Sequence, residues 1–302
     1  MTKFKQPLKA LSLFANVGIA ETYLKDVGID VVVANELLED RAKFYSHLHP
    51  DVDMVVGDIT SNEIFNRVLD LSVDKGVEFL IATPPCQGMS CAGRKDPLDP
   101  RNFLIYYAIE MAKLLRPKFI IFENVTMQQH TKISLQGKSV FIPEYVESEL
   151  GSAYNFNNRR IVNAMDYGVP QSRQRYIYLL SRKEQNVEWE FPEKHEKLIT
   201  LRDAIGHLPS LDPLIREKQE RWRFPDYEKK KLEGLSVSKW HFPPTHGWKN
   251  IESMIHTPSG KSAFQNETYY PKTKGRKVKG APRTYMRMSW DKPATTVMQK
   301  TM

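Results

Sequence analysis

The amino-acid sequence predicts an α/β protein: a doubly wound, mostly parallel sheet followed by a smaller, irregular basic region. Three observations carry this. Apolar runs of strand length alternate with stretches of helix length from residue 8 to residue 122. The connections between them are short, as strand–helix repetition in a parallel sheet requires. Beyond residue 182 the alternation fades, and Pro, Trp, Lys and His become frequent.

Taken in order, residues 8–14 read as the first strand and 20–27 as the first helix. Residues 29–34, 52–56 and 77–81 are further apolar strands, with helices at 37–47 and 63–73 between them. A helix over 103–115 is ended by Pro117, and 118–122 is the next strand. Residues 154–162 and 175–181 read as antiparallel strands at the sheet edge. The segment 243–248 and the run 271–282 are loops by composition. These divisions predict a catalytic, cofactor-binding domain over 1–181, a basic region over 182–282 and a last segment over 283–302.

Composition narrows the class. Hydrophobic residues make up 41% of 302, enough for a packed core. No run approaches the roughly 18 apolar residues of a membrane span, so no membrane partner is expected. The basic then apolar start lacks a small-residue cleavage site and reads as a strand, not a signal peptide. Two cysteines, Cys86 and Cys91, allow no disulfide framework and no Cys-based zinc site, and a reducing cytoplasm fits them. No metal is expected. Residues 1–181 carry 20 Lys and Arg against 21 Asp and Glu, whereas residues 182–302 carry 24 against 15. All five tryptophans lie beyond residue 182. A neutral first part and a basic, aromatic second part suggest a catalytic domain joined to a polyanion-gripping region.

Three strand ends carry groups suited to a nucleoside-bearing cofactor. Phe14-Ala15-Asn16-Val17-Gly18 is a small-residue turn whose backbone N–H groups can approach a ligand. Glu36, 18 residues after Gly18, closes the second strand, where a carboxylate can accept ribose hydroxyls. Asp58 closes the third and can accept from an adenine amino group. The competing reading is that Glu36 and Asp58 merely cap the helices that follow them. The spaced glycines that cradle a pyrophosphate are missing, which favours S-adenosylmethionine over a nicotinamide dinucleotide.

The chemistry-bearing residues follow. Cys86 stands where a strand gives way to a loop, behind the rigid pair Pro84-Pro85, and a thiolate there is a strong nucleophile. Glu123-Asn124-Val125 follows the strand 118–122, and its loop should lie beside that of Cys86. A carboxyl in a desolvated cleft can donate a proton at neutral pH. In Gln171-Ser172-Arg173-Gln174-Arg175, strand spacing puts Gln171, Arg173 and Arg175 on one face, where two guanidinium groups can hold a carbonyl or phosphate oxygen.

Together these pieces resemble the cytosine-C5 DNA methyltransferase family of bacterial restriction–modification systems. The resemblance rests on Phe14-Ala15-x-x-Gly18, Glu36, Asp58-Ile59, Pro84-Pro85-Cys86-Gln87, Asp99-x-Arg101-Asn102-x-Leu104, Glu123-Asn124-Val125 and Gln171-x-Arg173-x-Arg175. It returns late in the chain at Arg287-Met288-Ser289-Trp290-Asp291-Lys292-Pro293-Ala294-Thr295-Thr296. It implies a Rossmann-like S-adenosylmethionine-dependent fold, with Phe14, Ala15, Val17, Gly18, Glu36, Asp58, Ile59, Pro85 and Leu104 around the cofactor. It further implies a covalent adduct of Cys86 with C6 of a cytosine flipped out of duplex DNA. Glu123 would act on N3, and Arg175, supported by Arg173, would hold O2. The loop 88–101, with Arg94 and Lys95, would close over the base, and residues 182–282 would be the target-recognition region.

Two departures stand out. Ser12 occupies the place where the family's first motif usually begins with Asp, and Asn16 that of a Gly. The family's final C-terminal motif is not found before Met302, which suggests a fragment or a second polypeptide that supplies it. The same chemistry on tRNA, and a catalytically incomplete DNA-binding subunit of a split enzyme, are the alternative readings. Partners expected from the resemblance are double-stranded DNA and a cognate restriction endonuclease, in the cytoplasm or on the nucleoid.

Overall fold

The computed structural model describes residues 6–85, 99–135, 138–243, 245–273, 275–278 and 285–297. The chain divides into two compact units: Met1–Val162 with Gln174–Glu193, and Asn163–Arg173 with Lys194–Met302.

The first unit is built on a seven-stranded sheet. Its strands are β1 (Leu8–Leu13), β2 (Ile29–Glu36), β3 (Asp53–Val56), β4 (Phe79–Ala82), β5 (Phe119–Asn124), β8 (Tyr154–Asn163) and β9 (Gln174–Arg182). Two short strands, β6 (Lys132–Leu135) and β7 (Lys138–Phe141), form a separate antiparallel pair. The helices are α1 (Glu39–Leu48), α2 (Asn62–Lys75), α3 (Leu104–Leu115) and α4 (Ile142–Leu150). The sheet order is β3-β2-β1-β4-β5-β9-β8. Strands β1 to β5 pair in parallel, and β9 runs antiparallel to β5.

Both faces of the sheet are covered, which is why its central strands read as unbroken apolar runs. Leu11, Leu13, Leu80, Ile120 and Phe122 face the larger core, against Val68 of α2, Ile105 and Ile109 of α3, and Val146 of α4. The alternate residues Leu8, Ala10, Phe79, Ile81 and Phe119 face the other side, where Leu24 and Trp189 cover them. Tyr45 of α1 packs with Ala15 and Ala34. Winding starts at β1 and runs outward in both directions, so the switch point falls between β1 and β4. Ligands of such sheets bind there, beyond the carboxyl ends of the strands.

Several expectations need correction. Residues 20–27 form no α-helix: the segment is a series of turns with one 3₁₀ turn at Lys25–Val27. The side chain of Glu21 turns inward to Ser12, and Thr22 Oγ1 donates to Ile19 O at 3.0 Å. Such local bonds compete with helix formation. Trp189 is not part of the basic region's aromatic surface. It stacks on Phe119, with ring centroids 4.9 Å apart, inside the sheet's second core. The run 271–282 is not a plain loop, because Lys272–Thr273 (β12) and Arg276–Lys277 (β13) pair as a short hairpin. The β6–β7 pair and α4 lie in a stretch whose sequence pattern singled out no element.

The second unit is sparser in regular structure. Its helices are α5 (Leu201–Ile205), α6 (Tyr227–Val237) and α7 (Trp248–Ile255), and β10 (Leu214–Ile215) pairs in parallel with β11 (Thr245–His246). The guanidinium of Arg223 lies over two indoles, 4.7 Å from the ring centre of Trp222 and 4.1 Å from that of Trp248. The late segment is stitched to the Gln171–Arg173 stretch within this unit. Ser172 N donates to Ala294 O at 2.7 Å, Ala294 N to Pro170 O at 2.9 Å, and Thr296 Oγ1 to Ser172 O at 2.8 Å. No helix among the described residues is long and apolar enough to cross a membrane.

Candidate active site

The turn after β1 is shaped by three residues of positive φ: Phe14 (60°), Asn16 (53°) and Gly18 (80°). Asn tolerates this region better than most side chains, which lets Asn16 stand where a Gly is usual. Gly18 has no substitute, since a Cβ there would lie 2.5 Å from His49 Nε2. Phe14 is half-buried against the larger core, Ala15 is buried beside Tyr45, and Val17 is partly exposed. Thr83 Oγ1 donates to Phe14 O at 3.3 Å, tying this turn to the segment that leaves β4.

Glu36, the last residue of β2, is buried. Its Oε2 accepts from Asn16 N at 2.9 Å and its Oε1 from Leu38 N at 3.0 Å. Each oxygen retains a lone pair after these bonds. The carboxylate thus braces the turn and holds the backbone N–H of Leu38, the residue before α1. Asp58 is exposed, accepts from Thr60 N at 2.9 Å through Oδ1, and is followed by the buried Ile59. Asn35 holds these strand ends together, donating through Nδ2 to Val55 O at 2.9 Å and to Gly57 O at 3.1 Å. A braced turn, a buried acid and an exposed acid on three successive parallel strands fit an adenosine-bearing cofactor. Among the described residues no cluster of His, Cys, Asp and Glu could hold a metal ion.

The candidate residues Pro85, Glu123 and Arg175 lie at or near the ends of β4, β5 and β9. Register pairs Leu13 with Ala82 and Ala82 with Phe122, so the chain segments leaving β1, β4 and β5 emerge side by side. Asn124 donates through Nδ2 to the carbonyl oxygen of Pro84 at 3.1 Å, and its Oδ1 accepts from Val125 N at 2.8 Å. Pro84 is buried and Pro85 half-buried. Cys86 is two residues beyond the tethered carbonyl. It lies outside the described residues, as do Cys91, Arg94 and Lys95. Leu104 is half-buried at the start of α3.

Glu123 Oε1 and Arg175 Nε form an ion pair at 2.8 Å, both side chains mostly shielded from solvent. The register that pairs Asn124 with Tyr176 places Arg175 at the end of the same ladder. Strand spacing does not extend across Gln171, Arg173 and Arg175, because β9 begins only at Gln174. Arg173 belongs to the second unit, where its backbone N–H donates to Asn163 Oδ1 at 2.9 Å. Proline and the stitches to Ala294 hold residues 170–172 out of the strand.

Sequence reasoning passed over Asn35, Asn124 as a tether, and Thr83. Their signal is a polar side chain at the end of an apolar strand, where a carbonyl on the neighbouring strand needs a donor. A carboxylate paired with a guanidinium can accept and donate hydrogen bonds along the edge of a polar ring.

A family model described as C-5 cytosine-specific DNA methylase matches residues 8–302. The chain is 42% identical over 299 residues to the Type II methyltransferase M1.HgaI of Avibacterium volantium, spanning 97% of this chain and 77% of that protein. It is 30% identical over 212 residues to M.DdeI of Desulfomicrobium norvegicum, covering 68% of this chain and 49% of that one. A solved structure described as a prophage-encoded DNA modification methyltransferase of E. coli superposes with a TM-score of 0.65 at 20% identity, over 96% of this chain and 82% of that one. That likeness supports the doubly wound fold. With the family model matched from the first strand through the late segment, the chain belongs to the C-5 cytosine-specific DNA methylase family.

Proposed function

We propose that this protein methylates C5 of cytosine in duplex DNA, within a restriction–modification system, through a covalent adduct at Cys86. The observation that carries the reading is the junction of β4 and β5. Asn124 fixes Pro84, two residues before the thiol, while its neighbour Glu123 pairs with Arg175.

C5 of cytosine is a poor nucleophile. Addition of the Cys86 thiolate to C6, with Glu123 donating a proton to N3, gives C5 enamine character. Arg175 donates to O2 as negative charge spreads onto the ring. S-adenosylmethionine, when bound, supplies a methyl group on a positively charged sulfur. The turn Phe14–Gly18, with Ala15 and Val17, would hold it together with Glu36, Asp58, Ile59, Pro85 and Leu104. The methyl group would pass to C5, and the electron pair of the broken bond would stay on the cofactor's sulfur. Loss of the C5 proton to solvent expels Cys86 as the thiolate, and N3 returns its proton to Glu123, which restores the aromatic ring and both groups.

Reaching C5 requires the base to leave the stack, at a cost of a few kcal/mol. The lysines, arginines and exposed indoles of the basic region would supply the compensating grip on phosphates and bases. A restriction endonuclease of the same specificity is the expected companion.

The test is transfer of labelled methyl to duplex DNA and to tRNA, with trapping on 5-fluorocytosine DNA. Cys86→Ser should abolish transfer and the covalent adduct while leaving the fold intact, and Cys91→Ser should change the rate little. Equal effects of the two substitutions, or transfer to tRNA alone, would overturn the reading.

A further inference from the structure

We propose that Glu21 is a cofactor-binding residue: a buried carboxylate, held by Ser12 beneath the Phe14–Gly18 turn, whose negative charge offsets the positive charge of S-adenosylmethionine. This rests on the cofactor reading above.

Ser12 lies on β1 and Glu21 just past the turn, and they are 2% and 5% exposed. The Ser12 hydroxyl donates to Glu21 Oε1 in a short bond. Among the described residues the buried Glu21 Oε2 finds no hydrogen-bond partner. From α1, Tyr45 and His49 pack beneath the same turn, and His49 Nε2 is 3.1 Å from Gly18 O. The Tyr45 hydroxyl is likewise buried without a partner. Glu36 reaches the turn from β2, through Asn16 N.

Burial pushes the Glu21 carboxyl above its ordinary range, against the lowering effects of Ser12, of a backbone hydrogen bond and of His49. The groups that favour its ionised form, Ser12, a backbone N–H and His49, do not outweigh its burial, and an amide would meet Ser12 equally well. A carboxylate kept in such a setting is accounted for by a cation that arrives later. Ser12 and Glu21 share one buried contact, so a carboxylate at either position would put the negative charge at the same strand end.

The experiment measures the dissociation constant of S-adenosylmethionine by calorimetry on the full chain, together with the melting temperature without ligand. Glu21→Gln should weaken binding about tenfold, the scale of one charge-assisted interaction, with the melting temperature held or raised. Adding Ser12→Asp to that variant should restore most of the affinity. In the unsubstituted protein, affinity should fall as the pH is lowered through the range where Glu21 takes up its proton, and this dependence should be absent in Glu21→Gln. The pH series on the unsubstituted protein decides the matter should the variant not fold. An unchanged dissociation constant, a loss that Ser12→Asp does not restore, or an affinity flat with pH would overturn the inference. Absence of binding by the unsubstituted protein would instead overturn the cofactor reading, and this inference with it.

Discussion

Asn124 and Glu123 are adjacent in the chain and divide two tasks. As neighbours on a strand they point to opposite faces of the sheet. One side chain is buried and clamps the Pro84 carbonyl; the other meets Arg175. Asn124→Asp keeps the shape but replaces both amide N–H donors with an acceptor, leaving a buried carbonyl unsatisfied beside a new charge. We expect a loss of about 1–3 kcal/mol in stability and a fall in methyl transfer well beyond what the remaining folded fraction explains. Comparing the melting temperature with single-turnover rates checks this. At this scale the sequence offers candidates by residue type: Cys86 and Glu123 are singled out by what a thiol and a carboxyl can do. Asn124 was legible as part of a motif, but its partner was not, because Pro84 is 40 residues away and the pairing depends on register.

The turn after β1 shows what an element can and does not reveal about itself. Its glycine marks a backbone that must curl, and Gly18 is in fact left-handed at 80°. Gly18→Ala should cost about 1–2 kcal/mol for the unfavourable conformation alone. A further loss comes from driving the His49 ring away from a Cβ that would stand 2.5 Å from it. Thermal unfolding and cofactor affinity should both report the change, and an alanine variant as stable and tight-binding as the parent would contradict it. The segment just beyond the turn shows where pattern reading fails. Residues 20–27 have helix-forming composition, yet Ile19 and Tyr23 are exposed while Glu21 is buried, the reverse of what an amphipathic helix would do. A side chain committed to a tertiary partner outweighed local propensity, which is a weak prior over so few residues.

For the molecule as a whole, charge and aromatic content separate a neutral part from a basic one, but the tryptophans do not share a single role. Trp189 fills the second core of the sheet against Phe119 and Phe79, whereas Trp222 is exposed in the other unit beneath Arg223. Trp189→Ala should cost about 3–5 kcal/mol in stability, as large-to-small core changes do, and leave the DNA affinity of the folded protein unchanged. Trp222→Ala should do the opposite, with affinity lost and the melting temperature nearly held. Denaturant unfolding and DNA binding, measured on both variants, distinguish them. On the proposed function, log affinity for duplex DNA should fall linearly with log salt. Removing Arg276 or Lys277 of the β12–β13 hairpin should reduce that slope by roughly one unit each if they meet phosphates.

The sequence by itself determined the doubly wound sheet, the strand ends at which ligands gather, and the types of group placed there. Each of these follows from short-range periodicity and from the chemistry of single side chains. Only the tertiary structure decided that Glu123 meets Arg175, that Asn124 holds Pro84, that Glu21 lies buried against Ser12, and that Trp189 belongs to the sheet's second core. Those contacts join residues far apart in the chain or turn a side chain against its local pattern. Strand register and the filling of space across the sheet select them, and neither is written in any one stretch of sequence.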